Sequence, residues 1–527
     1  MKPSSILSPI QLSQDVQSIY NHYYRNGYYF VDVRIDSLIF YNDSSSVDIK
    51  LNIDEGEQVK LGSINLSGNT SITSDEILTK FDTKPGIFLV PEVLEEDINM
   101  LISAYENAGY PFVKVDIVNI APDRNDTSIV LRLDISIDEG KQITVDEIRV
   151  TGNKDTRTGV IVRETRFRLH EIFNQDKVSR IRARLNRMNI FSVVEEPELF
   201  TNNEGSGLLI KVEEGNTNTF DGIIGYTPGV TASGKGVVTG MVNVSMRNLF
   251  GTARKLNIRW LRDQRRSQEI ALQYVEPWVF DLPVSVSGGF IQRQEDTIYI
   301  RRSFDLKTDL LLTESFSLGG TFTQENIIPS STTNLIAKSQ TVSTGIELQY
   351  DTRDDILNPT GGVYYRSDYK IGRKSYSNQT TTVHRLSLDT DFFVTVFQRQ
   401  VAMFGLHGRS ISSGSVELGD LYRLGGTNIL RGYRENQFLG SRIAWTNSEY
   451  RFLLARRSFF FGFFDTGYYF LPGDEKQNTS SSQKIKYGYG VGIRLETVLG
   501  NIGVSFAFGE GDSFLQGKIH IGLINEF

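Results

Sequence analysis

From Asn216 to the C-terminus the chain consists of segments of roughly ten residues in which apolar side chains recur at every second position, separated by turn residues. That period belongs to strands, because successive side chains of a strand point to opposite faces. In the segment from Ile485 to Leu495, Ile485, Tyr487, Tyr489, Val491, Ile493 and Leu495 share one face, and Lys486, Gly488, Gly490, Gly492 and Arg494 share the other. Ile502, Val504, Phe506 and Phe508 continue the pattern, and the last segment sets Ile519, Ile521, Leu523 and the terminal Phe527 in phase. No run approaches the roughly 18 apolar residues of a membrane helix. A membrane form of this chain is therefore a barrel, whose strands average to the observed mean hydropathy of −0.25. Alternation alone equally suits a soluble β-sandwich.

The connections separate the two. About sixteen strands are expected, near residues 218–227, 236–247, 254–264, 267–277, 283–294, 296–307, 311–324, 340–352, 361–372, 382–396, 399–411, 440–454, 457–469, 485–496, 499–508 and 516–527. The even-to-odd connections are mostly tight, as in Asn248-Leu249-Phe250-Gly251 and Asn358-Pro359-Thr360-Gly361-Gly362. The odd-to-even connections include long ones, Gln324 to Gln340, Ser412 to Leu439 and Leu471 to Lys484. Short turns on one side and long loops on the other are what an outer-membrane barrel requires. A sandwich has no reason to sort its loops by parity, and an even strand number lets the last strand return beside the first.

Residues 1–215 have a different period. Asp54-Glu55-Gly56 recurs as Asp138-Glu139-Gly140, and Ser67-Gly68-Asn69 as Thr151-Gly152-Asn153, while Gly27-Tyr28 is echoed by Gly109-Tyr110. The second unit reads as a strand from Val59 to Leu66, a short helix near Thr73 to Phe81, a helix from Pro91 to Asn107 with Leu94, Ile98, Leu101 and Tyr105 on one face, and strands from Phe112 to Val118 and Ser128 to Ile137. The third repeats that order, with helices near Thr158 to Arg163 and Gln175 to Met188. The first enters midway, with a helix from about Leu12 to Arg25 and strands Phe30 to Phe40 and Ser46 to Ile53. The expected domains are 1–57, a partial unit, then 58–140 and 141–215, and the barrel over 216–527.

Such small sheets covered by helices leave a strand edge open, and an open edge can accept an extended peptide through its main chain. The candidate edges begin at Phe30 and Val31, at Phe112 and Val113, and at Phe191 and Val193. The bland alternative is a spacer that holds the mouth of the barrel.

Composition excludes several functions. The net charge of −7 presents no basic stripe to a nucleic acid. There is no Cys, so disulfides and thiolate metal sites are absent, which suits a protein that crosses an oxidising compartment unfolded. No Gly-x-Ser-x-Gly elbow occurs, and His22, His170, His384, His407 and His520 lack ligand spacing, so neither an enzyme nor a metal site nor a cofactor is expected. The opening Met1-Lys2-Pro3-Ser4-Ser5-Ile6-Leu7 lacks the apolar core of a signal peptide, so an exported form would be processed or truncated.

Within the longest loop lies Leu424-Gly425-Gly426-Thr427-Asn428-Ile429-Leu430-Arg431-Gly432-Tyr433, in which a single cation sits among glycines and apolar residues. Alone it fits a solvated turn as well as a loop folded into a barrel. Together with the repeats, Asn248-Leu249-Phe250-Gly251, Glu276-Pro277-Trp278, Tyr350-Asp351-Thr352-Arg353, Asn358-Pro359-Thr360 and Phe463-Phe464-Asp465-Thr466-Gly467, it resembles outer-membrane assembly factors of the BamA/TamA type. Leu430-Arg431-Gly432-Tyr433 is similar to their (V/I/L)RG(F/Y) loop tip, and the three units resemble POTRA domains. A count of three is closer to TamA than to the five-unit BamA.

The resemblance implies that Arg431 meets wall carboxylates, Asp465 and Glu449, inside the lumen. A guanidinium there is costly to leave unpaired, and a carboxylate offers it bidentate bonds. It further implies protein insertion or translocation at the bacterial outer membrane, with POTRA units in the periplasm and a lateral gate between the first and last strands. Phe220, Gly222 and Gly225 lie on the first strand and Ile521, Gly522 and Phe527 on the last, and the two glycines weaken the first strand. The implied partners are unfolded outer-membrane proteins, the lipid bilayer and an accessory protein of the periplasm or inner membrane. A passive porin would not need the repeats. A two-partner secretion transporter shares the barrel and loop motif but usually has two POTRA units and a Pro-rich plug segment.

Overall fold

The computed structural model describes residues 7–41, 46–125, 128–202, 205–227, 237–262, 267–296, 298–330, 336–356, 358–414, 416–455, 457–473, 480–497 and 500–524. Two compact units are distinguished. The first comprises 1–149, 165–182 and 196–210, and the second comprises 150–164, 183–195 and 211–527, so the division runs through the third repeat.

The first repeat contributes α1 (Pro9–Arg25), β1 (Asp32–Tyr41) and β2 (Ser46–Asp54), the two strands pairing antiparallel. Helix α1 starts earlier than the apolar spacing suggests, because Ser8 caps Gln11 N–H at 3.4 Å and Pro9 occupies the first turn, where a missing N–H costs nothing. The second repeat holds β3 (Lys60–Ser67), α2 (Ser74–Lys80), α3 (Pro91–Asn107), β4 (Lys114–Asn125) and β5 (Ser128–Asp138), with strand order β3-β5-β4. Its core gathers Leu61, Leu133 and Ile135 from the sheet with Phe81, just after α2, and Leu94, Leu101 and Tyr105 from α3. The third repeat runs β6 (Thr144–Val145), β7 (Glu147–Thr151), α4 (Thr158–Thr165), β8 (Glu171–Ile172), α5 (Gln175–Arg187), β9 (Phe191–Val194), β10 (Glu198–Asn202) and β11 (Gly205–Glu214).

Four of the residues expected on edge strands lie outside strands. Phe30 and Val31 precede β1, and Phe112 and Val113 precede β4. After Gly27 and Gly109, both at positive φ, the chain is fixed in turns by Tyr28 N–H to Tyr23 O at 3.0 Å and Tyr110 N–H to Tyr105 O at 2.9 Å. These are helix-terminating bonds of the glycine-capped kind, and they delay the strand by two residues. Val31 is buried, while Phe30 and Phe112 are exposed. Phe191 and Val193 do lie in β9, whose pairing with β11 over Val212–Glu214 occupies one side of the strand.

The recurring sequence signatures bind one another. The Glu139 carboxylate accepts Thr70 N–H at 2.6 Å, Ser71 N–H at 2.8 Å, both of their hydroxyls, and Tyr105 OH at 2.9 Å. In the third repeat Glu214 likewise accepts Lys154 N–H at 3.0 Å, Asp155 N–H at 2.9 Å and Thr156 N–H at 2.6 Å. Burial pushes the Glu139 carboxyl up, but these donors outweigh it and hold it at about 2. Its ordinary value is 4.5, so the stabilisation is full above that pH and is lost as pH falls through about 2. Opening of the Gly68–Ser74 loop, followed by cleavage with an acid-active protease, is therefore expected to rise across this window. In Glu139→Gln the loop should be open throughout, at a cost of about 1–3 kcal/mol. The same acid midpoint in both proteins would refute this.

The second unit contains one sixteen-stranded antiparallel sheet. Its strands are β12 (Asn218–Thr227), β13 (Val237–Leu249), β14 (Arg254–Arg262), β15 (Gln268–Glu276), β16 (Val284–Glu295), β17 (Tyr299–Leu311), β18 (Phe316–Pro329) and β19 (Ser339–Asp351). They continue with β20 (Gly362–Tyr376), β21 (Gln379–Phe397) and β22 (Gln400–Ser413). After the two short loop strands β23 (Tyr422–Leu424) and β24 (Phe438–Gly440) come β25 (Arg442–Ala455), β26 (Ser458–Leu471), β27 (Ser482–Thr497), β28 (Gly500–Gly509) and β29 (Lys518–Ile524). Each sheet strand pairs with its neighbour, β22 with β25 across the long loop, and β12 and β29 stand at the two ends of the order. The fold is an α+β repeat array followed by an all-β barrel.

Outward residues such as Phe464, Ile485, Tyr487 and Val491 are exposed, and Phe463, Asp465 and Glu449 face inward and are buried. Strand β18 runs to Pro329, five residues beyond the expected Gln324, which shortens the following loop. Its last turn of strand is covered: Ile327 is buried, facing Gly419 of the long loop, and Glu325 is bonded to Arg385 at 3.0 Å. Phe527 lies outside the described residues.

Four tight turns of the sheet are gripped by residues of the third repeat within the same unit. Asn248 donates to Thr156 Oγ1 at 2.8 Å and Gly251 O accepts Arg157 N–H at 2.9 Å. Trp278 Nε1 donates to Glu164 at 2.6 Å. Arg184 forks onto Glu314 at 2.8 and 2.9 Å, and Arg187 reaches the carbonyls of Glu314 and Asp351.

Candidate functional site

The loop between β22 and β25 folds back against the inner face of the sheet. Its turns rely on Gly425, Gly426 and Gly432 at φ of 118°, 110° and 90°, a region closed to most side chains. Leu424 and Leu430 are fully buried with Tyr433, Ile443 and Trp445, so the loop has a small apolar core of its own. Leu430 and Leu424 pack on Gly467, where a Cβ would come within 2.9 Å and 3.1 Å of them.

Arg431 stands between the two wall carboxylates. Its Nε and Nη2 donate to the two oxygens of Asp465 at 2.8 and 2.7 Å, and its Nη1 donates to Glu449 at 2.7 Å. The Arg431 backbone N–H adds a third bond to Asp465 at 3.1 Å, and Asn447 donates to the same carboxylate at 2.9 Å. Glu449 is held from its other oxygen by Arg451 at 2.8 Å. The guanidinium carbon lies 3.7 Å from the centre of the Phe463 ring, in stacking contact. Asp465 has 0% exposure, so the pairing is charge-assisted in a site stripped of water.

The tip reaches further than these two strands. The Tyr433 hydroxyl donates to Tyr487 O at 3.0 Å and accepts Glu510 N–H at 2.9 Å. Gly432 lies against Phe508 and Gly509, and a Cβ at Gly488 would run into the Arg431 carbonyl. Gly432 N–H donates to His520 Nε2 at 3.1 Å. The tip therefore lies across β25 to β29, on a wall made flat by Gly467, Gly488 and Gly509. Spacing alone left His520 out. The signal that could have found it is its phase, opposite to Ile519 and Ile521 and therefore inward.

The stem of the loop has its own attachment. Lys374, fully buried on β20, pairs with Asp420 and stands 3.9 Å from Glu417, while Arg423 bonds Glu295 at 3.2 Å. On the expected seam, Gly222 pairs with Val242 and Gly225 with Thr239, whereas Ile521 pairs with Val504 and Gly522 with Gly503. Phe220 is exposed.

A model of the Omp85 superfamily domain matches residues 248–525. The chain belongs to the Omp85 superfamily. A POTRA model, described as a surface antigen variable number repeat, matches 1–56, 59–140 and 143–215, in keeping with the BamA/TamA-type resemblance. This Omp85 chain is 22% identical over 560 residues to outer membrane protein assembly factor BamA of Nitratidesulfovibrio vulgaris, covering 98% of the chain and 68% of that protein. It is 24% identical over 274 residues to BamA of Neisseria meningitidis, covering 51% of the chain and 33% of that protein. It thus spans two thirds of one of these relatives and a third of the other. Among solved structures, CdiB from Escherichia coli matches with a TM-score of 0.56 at 14% identity, covering 98% of both chains. BamA from Haemophilus ducreyi lacking POTRA domains 1–3 matches with a TM-score of 0.50 at 16% identity, covering 88% of this chain and 98% of that one. The Omp85 barrel lies in the bacterial outer membrane, with the POTRA repeats in the periplasm.

Proposed function

We propose that this chain assembles proteins into the outer membrane by exchanging strand pairing at a seam between β12 and β29. The observation that carries the proposal is the placement of the loop tip. It binds β25 and β26 through buried, charge-assisted bonds and reaches the strand at one end of the sheet order through the Gly432 N–H. An incoming strand would pair with an end strand through main-chain bonds, which read no sequence and suit many unfolded clients. Gly222 and Gly225 on β12, with Gly522 on β29, reduce the side-chain packing that would resist parting. The POTRA sheets supply a second set of edges, with β3 and β4 outermost in the second repeat. Asp465, Glu449 and Arg431 act as a seat for the loop, and no covalent step is involved.

The test uses a chain that contains no native Cys. A Gly222→Cys, Ile521→Cys double variant, reconstituted in liposomes, would be compared oxidised and reduced for its effect on the folding rate of an unfolded barrel client. Acceleration is expected to vanish on oxidation and return on reduction. Equal acceleration with the seam locked would remove the seam. Failure to accelerate folding, with passage of a soluble secreted client, would favour a two-partner secretion transporter.

A further inference from the structure

Two consecutive amides at the loop tip are divided between two strands. Arg431 N–H binds Asp465 on β26, and Gly432 N–H binds Nε2 of His520 on β29. The His520 ring is buried, and its Nδ1 lies 3.3 Å from Thr427 Oγ1. Since Nε2 accepts, the neutral ring carries its proton on Nδ1 and donates it toward Thr427. The Thr427 hydroxyl donates in turn to Glu435 Oε1 at 2.8 Å, and Thr427 N–H donates to the same oxygen at 2.7 Å. The bonds therefore run in one direction, from the Gly432 amide through the imidazole to Glu435, with each donor matched to an acceptor. A second proton on the ring would set an N–H against the Gly432 N–H and break the line at the strand.

We infer that His520 is a positioning residue through which the seating of Arg431 restrains the last strand, and that protonation of its ring releases that strand from the tip. The inference rests on the seam reading, since only a parting β29 gives the restraint a use. The charged groups facing the ring are Glu435 and Arg431 on the loop, Asp465 on β26 and Lys518 on its own strand. Leu430 and Tyr433 keep the rest of the tip packed in either state of the ring, so the switch acts on β29 and leaves the Arg431 seat in place.

The experiment is hydrogen exchange on the full chain in liposomes without client, following peptides that cover 427–434 and 518–524. His520→Leu removes the acceptor, and His520→Gln keeps one in a side chain that does not titrate. Exchange should rise about tenfold in His520→Leu in the 518–524 peptide and, within 427–434, at the Gly432 amide, and should stay near wild type at both in His520→Gln. Between about pH 8 and about pH 4.5, after correction for intrinsic exchange, the wild type should loosen while His520→Gln does not. The inference is overturned if His520→Leu exchanges like the wild type, if both variants lose protection alike, or if the wild type and His520→Gln respond identically to acid. Client folding is absent from this measurement, so its failure is separate from failure of the seam, which the disulfide pair reads.

Discussion

Arg431→Ala is expected to unseat the loop tip, costing about 3–5 kcal/mol of local stability and most of the client-folding activity. The size follows from what remains. Asp465, fully buried, would lose both of its guanidinium donors and keep Asn447 and the backbone N–H of residue 431, and Glu449 would lose one of its two bonded arginines and keep Arg451. Two carboxylates would then share a buried site that has lost the cation bridging them. Arg431→Lys should recover only part of the loss. An ammonium is a point charge, and it cannot fork onto Asp465, reach Glu449 and stack on Phe463 together. Combining Arg431→Ala with Asp465→Asn should recover part of the stability, because the orphaned charge goes, but not the activity, because the tip has no seat. Cleavage by an added protease between residues 424 and 437, read beside client folding rates, measures both. An Arg431→Ala protein as resistant as wild type would show that the apolar contacts of Leu430 and Tyr433 suffice.

At the stem, Lys374→Met is expected to cost a further sum of the same order, about 3–5 kcal/mol, with a different signature. Lys374 has 0% exposure and is the cation that Asp420 and Glu417 share; Arg385 stands 3.8 Å from Asp420 but is committed to Glu325. Without Lys374, Asp420 keeps only the more distant Arg385 as a cation and Glu417 loses Lys374. Asp420→Asn on the same background retains the capping bond to Glu417 N–H and removes one charge, so the double variant should be more stable than Lys374→Met alone. A double-mutant cycle on the heat-unfolding midpoint reads the coupling. Exchange at 427–434 should move less than in Arg431→Ala, since tip and stem are separately held. Equal destabilisation in the single and double variants would sink the assignment.

The barrel was legible because its period is short and its two environments differ sharply. Sixteen strands are found where alternation places them, and the parity of the connections pointed to a membrane. Helix α3 keeps its sequence-read limits because Pro91 and Gly109 bracket it. The errors lie where tertiary contacts override local pattern. Phe30 and Phe112 read as strand because they are aromatic and follow a turn, yet the helix-ending bonds at Tyr28 and Tyr110 take two residues more. Strand β18 outran its pattern because the loop covers Ile327. Glu139 was visible as a repeat marker, but a spacing cannot say that a marker closes its own unit, and Glu214, which does the same in the third repeat, was not singled out. The pairing of Lys374 with Asp420 joins positions 46 residues apart in otherwise featureless polar stretches, and nothing local announces it.

The third repeat grips the tight turns after β13, β15, β17 and β19, while the loop tip lies across β25 to β29 on the inner face. Stiffness is thus unevenly distributed around the sheet: one arc is braced from below and another from within. A cylinder stiffened in two arcs concentrates its strain where neither brace acts. In the seam reading proposed above, β12 stands beside one arc and β29 within the other, so the compliance of the seam would be set largely by residues that do not belong to it.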